Sequence, residues 1–156
     1  MDDLRELYQE VILEHNKKPR NFRILADANR EADGRNPLCG DELTVYARVT
    51  ADGPNDGERL EEVSFQGSGC AISKASASLM TDFVKGKALA EFKNDFDRFH
   101  RLVTSAPNTP AETEGLGKLA VFSGVREYPM RVKCATLAWH ALRAALDEKG
   151  EAAKTE

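Results

Sequence analysis

The sequence predicts an α+β fold: a small antiparallel β-sheet with helices packed on one face. Two observations carry this. Residues 43–50 alternate apolar and polar side chains, a dense turn follows, and a second apolar segment begins at residue 60, the signature of an antiparallel hairpin. Helical spacing precedes the hairpin once and governs the chain after it, so helices and strands are segregated rather than alternating as in parallel βαβ units. The chain has 156 residues, 41% of them hydrophobic and 31% charged. That is the size and apolar content of one core-forming domain, expected over residues 1–147, with a flexible C-terminal tail over 148–156.

The elements follow in order. Leu4, Leu7, Tyr8, Val11 and Ile12 recur at helical spacing over residues 3–16, with Asp3 as N-cap and Pro19 as the stop. Residues 17–21 form a basic loop. Residues 26–37 are polar, and an edge strand and an extended loop both remain open. In the strand over 43–50, Leu43, Val45, Ala47 and Val49 share one face, and Thr44, Tyr46, Arg48 and Thr50 the other. The turn lies at 51–57, and the next strand, 60–66, points Val63 and Phe65 inward. Ile72, Ala75, Leu79 and Phe83 make one helical stripe. Leu89, Phe92, Phe96, Phe99 and Val103 make another. A Pro-containing loop over 104–114 leads to a short helix with Leu116, Leu119, Ala120 and Phe122, stopped near Gly124. Pro129 precedes a last helix, from Met130 to about Leu146.

Composition narrows the function classes. A formal charge of −4 and a pI near 5.5 argue against a nucleic-acid or anionic-membrane binder, whose affinity comes from excess Lys and Arg. No window approaches 18 consecutive apolar residues, and residues 1–6 do not read as a signal peptide, so neither a membrane span nor export is expected. Three cysteines, an odd number, argue against a disulfide framework and for reduced thiols in the cytoplasm.

Each cysteine stands where the backbone changes character. Cys39 lies in a turn leading into the first clear strand, Cys70 between the second strand and a helix, and Cys134 near the start of the last helix. Such junctions can converge at one end of a sheet, and a helix N-terminus lowers a thiol pKa. An isolated cysteine is ordinarily a small buried hydrophobe, and no pair here has CxxC spacing. Two details favour a shared ion. Asp41 lies two residues after Cys39, on the same face if that segment is extended, and the glycines before Cys70 permit close backbone approach. The histidines compete poorly: His15 ends a helix among polar residues, His100 flanks the Phe stripe, and His140 faces away from Cys134. The ligand set is therefore read as Cys39, Asp41, Cys70 and Cys134.

Three ordered motifs carry a resemblance. Asn36-Pro37-Leu38-Cys39-Gly40-Asp41, Gly67-Ser68-Gly69-Cys70-Ala71-Ile72-Ser73 and Arg131-Val132-Lys133-Cys134-Ala135-Thr136-Leu137-Ala138-Trp139 each contain a cysteine. The opening from Leu7 to His15, with Pro19-Arg20-Asn21, precedes them. Together they resemble the IscU/NifU-N-like iron–sulfur cluster assembly proteins over about residues 4–146, and within these the SufU branch. Two features select the branch: Lys133 stands where IscU scaffolds have His, and 63 residues separate Cys70 from Cys134, with the added length around 104–124.

The resemblance implies a zinc-dependent sulfur acceptor. Cys39, Asp41, Cys70 and Cys134 would bind zinc, and Arg131 would be a positive neighbour of the site. Cys39 would take sulfur from the persulfide of a pyridoxal-phosphate cysteine desulfurase of SufS type and pass it to downstream Suf assembly proteins. A histidine of the desulfurase would displace Cys39 from the metal. Three thiolates and a carboxylate carry four negative charges, so a divalent ion leaves two, which Arg131 is placed to offset; its ordinary alternative is a surface charge at a helix start. The competing readings are a scaffold building a [2Fe–2S] cluster on the same ligands, with iron in place of zinc, and a non-catalytic zinc-stapled binding module. A cysteine hydrolase is disfavoured, because no histidine is placed to activate a cysteine.

Overall fold

The computed structural model describes residues 2–52, 57–147 and 153–154. Side chains of residues 2–5, 7, 153 and 154 lie outside the description, so Leu4 and Leu7 are not placed. The tip of the expected 51–57 turn and most of the expected tail lie outside the described residues as well.

Three strands form an antiparallel sheet: β1 Arg30–Asn36, β2 Asp41–Thr50 and β3 Arg59–Ser68. A two-residue strand, β4 Ala153–Lys154, runs parallel beside β1, giving the order β3-β2-β1-β4. The expected α+β architecture is present. In β2, Leu43, Val45, Ala47 and Val49 are buried, while the intervening residues are exposed or half-buried, as one covered face requires. The ambiguous segment 26–37 resolves as a loop followed by β1, paired along its whole length with β2.

The helices are α1 Asp2–Lys17, α2 Ala71–Val84, α3 Leu89–Thr104 and α4 Pro129–Leu146, with a 3₁₀ segment at Gly117–Glu127. α2 and α4 form the inner layer: they pack on the sheet and on each other. α1, α3 and the 3₁₀ segment cover them from outside. This layering explains why α2 is buried on nearly all sides, including Ser73, Ser76, Ser78 and Thr81, rather than along one stripe. Ile72 and Phe83, expected inside, are only half-buried at its ends. α3, an outer helix, buries Phe92, Phe96, Phe99 and Val103 as its spacing predicts. Phe92 and Phe99 stack on Trp139 of α4, with centroids 6.0 and 4.5 Å away.

Two helix boundaries differ from expectation. α1 begins at Asp2, so Asp3, the expected N-cap, lies within the helix. The short helix predicted to stop near Gly124 runs to Glu127 in 3₁₀ geometry, because Leu119, Val121, Phe122 and Val125 all find core partners.

Candidate metal centre

The first part of the site is the β1–β2 hairpin. Asn36 ends β1, Asp41 begins β2, and the two face each other in register. The loop between them is Pro37-Leu38-Cys39-Gly40. The Cys39 N–H donates to the Asn36 carbonyl oxygen at 3.2 Å, and Gly40, at φ 70°, turns the chain back. Cys39 and Asp41 are therefore brought together by a tight turn. The extended segment that would put them on one strand face is not present.

The second part is the β3–α2 junction. Cys70 is the N-cap of α2, and its Sγ accepts from the Ser73 N–H at 3.4 Å. The Cys70 N–H donates to Asp41 Oδ1 at 2.8 Å. Both glycines before it are required by close approach. A Cβ on Gly69 would stand 2.6 Å from Asp41 Oδ1, and one on Gly67, at φ 140°, would stand 2.1 Å from the Glu42 carbonyl oxygen. The third part is Cys134, wholly buried in the second turn of α4.

Cys39, Asp41 and Cys134 offer ligand atoms that all lie within 4.8 Å of one another. Cys70 stands beside this group without belonging to it: its thiol is a hydrogen-bonding neighbour of Cys134, and its backbone holds Asp41. Three of the four expected ligands are thus gathered, with the fourth adjacent. Arg131 is exposed on the first turn of α4 and makes no side-chain hydrogen bond or ion pair with the described residues. It lines a groove of about 660 Å³ with Tyr8, Ile12, Ile72 and Tyr128.

Electrostatics at this end are unusual. The Cys70 thiol is pulled down to about 6, chiefly by the hydrogen bond with Cys134, helped by the Ser73 and Ile72 amides at the helix start. Cys134 is pushed far up, first by Cys70, then by burial, Cys39 and Asp41. The cluster cannot ionise all its thiols alone, and a divalent cation is what would let Cys134 shed its proton. Tetrahedral zinc bonded to sulfur at about 2.3 Å separates its ligand atoms by roughly 3–4 Å, a spacing this group can adopt. The donor set fits a thiophilic divalent ion.

The structure also brings in a residue the sequence did not single out. Asn36 is fully buried. Its Nδ2 donates to Asp41 Oδ2 at 3.4 Å and to Cys134 Sγ at 3.5 Å. Its Asn-Pro dipeptide marks a turn, which is the one local signal it carries. The histidines stay away from the cluster. His100 and His140 pack on Phe96, and His15 bonds Ser78 on the α1 side of α2.

With this geometry in place, comparison with known proteins identifies the relatives. The NifU-like N-terminal domain profile matches residues 7–135. The zinc-dependent sulfurtransferase SufU of Bacillus subtilis is 37% identical over 150 residues, covering 96% of this chain and 92% of the relative. The iron–sulfur cluster assembly scaffold protein IscU of Streptococcus pyogenes is 36% identical over 152 residues, covering 97% and 90%. The crystal structure of FiSufU from Fervidobacterium islandicum superposes with a TM-score of 0.76 at 31% identity, covering 88% of this chain and 94% of that one. By sequence and by fold, this chain belongs to the NifU-like N-terminal domain family, the family of the IscU and SufU iron–sulfur cluster assembly proteins.

Proposed function

We propose that this chain is a zinc-dependent sulfur acceptor in iron–sulfur cluster assembly, working in the cytoplasm, with Cys39 as the acceptor. The supporting observation is an asymmetry: Cys39 is half-buried on a hairpin loop, whereas Asp41 and Cys134 are buried and hydrogen-bonded. The sulfur donor is the persulfide of a pyridoxal-phosphate cysteine desulfurase of SufS type. The Cys39 thiolate attacks the outer sulfur of that persulfide. A new S–S bond forms on Cys39, the desulfurase S–S bond breaks, and its electron pair leaves with the desulfurase cysteine as a thiolate. Sulfane sulfur changes carrier, so no external oxidant is consumed. Bound zinc supplies charge neutralisation that keeps the ligand thiols deprotonated without redox chemistry. Cys70, as helix cap, and Cys134, in the core, hold their positions while Cys39 moves. Arg131, exposed on the helix turn that precedes Cys134, would offer positive charge to an incoming persulfide anion. Downstream Suf assembly proteins then receive the sulfur.

The test is desulfurase turnover with and without this protein. Wild type is expected to stimulate turnover and to gain one sulfur atom on Cys39, read by mass spectrometry. Folded Cys39→Ala should do neither; undiminished stimulation by that variant contradicts the reading. A second reading, a [2Fe–2S] scaffold, is favoured by the relative named as a scaffold at 36% identity. Metal analysis separates them: colourless protein with stoichiometric zinc supports sulfur transfer, and brown protein with labile sulfide supports the scaffold.

A further inference from the structure

Asn36 touches three of the four candidate ligands. Its carbonyl oxygen accepts the Cys39 N–H, and the two hydrogens of its side-chain amide serve Asp41 Oδ2 and Cys134 Sγ. The amide orientation is fixed by charge, because turning it over would aim Oδ1 at the Asp41 carboxylate. In the orientation adopted, Oδ1 is buried and has no hydrogen-bond partner among the described residues. A buried acceptor left unpaired is unfavourable, and what offsets it here is the pair of bonds that the same amide's nitrogen gives to Asp41 and Cys134. The amide is there for what its nitrogen holds.

We propose that Asn36 is the positioning residue that fixes Asp41 and Cys134 as permanent ligands of the centre and thereby makes Cys39 the ligand that is released. The inference rests on the sulfur-acceptor reading and adds to it the reason one sulfur, rather than another, comes free. Asp41 is held from two sides, by Asn36 Nδ2 and the Cys70 N–H. Cys134 receives an N–H···S bond from Asn36 in the core. Cys70 is anchored as a helix cap. The described contacts tie Cys39 to the fold through its main chain, and its thiol hydrogen-bonds the Cys134 thiol with the Asp41 carboxylate close by. Ligand release follows the weakest tether, and the Asn36 amide is the group that tethers both Asp41 and Cys134.

The test uses the full-length zinc-loaded protein as wild type, Asn36→Asp and Asn36→Ala. Asn36→Asp keeps the shape and replaces the donors with a carboxylate facing Asp41. Asn36→Ala removes donors and orphan oxygen together and leaves the hairpin's backbone bonds intact. Zinc affinity is read by competition with a chromophoric chelator. The order of cysteine modification is read by limiting iodoacetamide and peptide mass mapping. Wild type should be alkylated at Cys39 at least about tenfold faster than at Cys70 or Cys134. Both variants should lose about 10–100-fold in zinc affinity, the usual effect of removing a group that orients metal ligands. Their alkylation should spread to Cys134. Equal affinity within twofold and an unchanged order in both variants overturn the proposal. So does a zinc-loaded wild type in which Cys134 or Cys70 reacts as fast as Cys39, a result that needs no variant to fold. Neither readout involves a desulfurase. Wild type showing the expected pattern without stimulating a desulfurase would sink the sulfur-acceptor reading and leave the Asn36 assignment standing.

Discussion

Two polar clusters are buried against the same helix, and they are built on opposite plans. At the N-terminal end of α2, Cys39, Asp41, Cys70 and Cys134 crowd acidic groups together, and Asn36 leaves an oxygen unpaired. Along its middle and C-terminal part, Ser78 meets His15 Nδ1 at 2.7 Å and accepts the Arg20 N–H at 2.7 Å. Thr81 accepts from Asn21 at 3.0 Å and donates to the Ser78 carbonyl oxygen at 2.8 Å. Asn21 also reaches Asp82 and, at φ 55°, turns the chain so that its carbonyl oxygen accepts from the Phe65 N–H. The second cluster pairs its groups and sews the basic loop to α2 and β3. The first leaves one buried oxygen unpaired and crowds three thiols around a carboxylate. A buried cluster with matched donors and acceptors is structural, and one with a surplus of ionisable acceptors awaits a cation.

That contrast breaks first if zinc is removable without consequence. Structural zinc contributes roughly 10–16 kcal/mol of apparent binding free energy in small peptides, as much as the whole stability of a typical domain. Chelation should therefore lower the melting temperature by on the order of 10 °C or more, the largest effect expected for this protein. Calorimetry before and after chelation, with metal analysis of both samples, checks it. An unchanged melting curve after verified zinc loss would make the crowded thiols a packing accident.

The next effect sharpens the same end. Gly69→Ala places a methyl group 2.6 Å from Asp41 Oδ1, and Asp41 is too short and too buried to step aside. Zinc affinity should fall about 10–100-fold, or about 1.4–2.7 kcal/mol. Chelator competition measures this, and circular dichroism should show the α+β fold retained. Full affinity in the folded variant would show that Asp41 is not held where the metal needs it.

Ser78→Ala addresses the other cluster. It strips the part-buried Arg20 N–H of its acceptor and His15 of its partner, so stability should drop by about 1–2 kcal/mol in urea titration. Zinc affinity and desulfurase stimulation should stay within twofold of wild type. A change in either would mean that the two ends of α2 are coupled.

What the sequence reveals follows the same division between outer and inner layers. β2 is readable because one face is covered and the other meets solvent, so apolar and polar residues alternate. β1 is not readable, because its inward residues are Ala32, Gly34 and Asn36. Gly34 lies directly beneath Leu137 and Ala141 of α4, and Asn36 hydrogen-bonds Asp41 and Cys134, so neither position carries a large apolar side chain. α3 shows its stripe because it is an outer helix; α2 is enclosed and accommodates serines in the core, as where Ser76 Oγ donates to the Ala135 carbonyl oxygen at 2.5 Å. The junctions make the cysteines and Asp41 legible as candidates; the fold gathers Cys39, Asp41 and Cys134 and leaves Cys70 adjacent. The turn that joins Cys39 to Asp41 is not legible, and Asn36 is not singled out because its contacts with Asp41 and Cys134 exist only in the fold. The burial of His15 is not legible for a related reason. The local sequence is that of a wet helix end, but α2 and the following loop close over it, leaving it 3% exposed.

The smallest expected effect comes from that histidine and is a pH dependence. Burial holds the His15 imidazole below its ordinary value, with Arg20 and Lys118 acting in the same direction and Glu14 and Asp82 opposing. His140 is lowered too, by burial, His100 and Arg143. A histidine depressed in the folded state contributes stability that is complete above the unfolded value of about 6.5 and is lost as pH falls through the lowered folded value. Unfolding free energy should therefore decline from about pH 6.5 towards 5, by at most about 1.4 kcal/mol per pH unit for each histidine. Above pH 6.5 neither histidine should impose a slope. Zinc release at low pH adds its own loss, so His15 is isolated by comparing wild type with His15→Gln at one fixed zinc concentration. Glutamine can still hydrogen-bond Ser78 but does not titrate, and its curve should be flatter over that window. If the two proteins lose stability in parallel, His15 is protonated as easily inside the fold as outside it, and the satisfied cluster is less well sealed than its contacts imply.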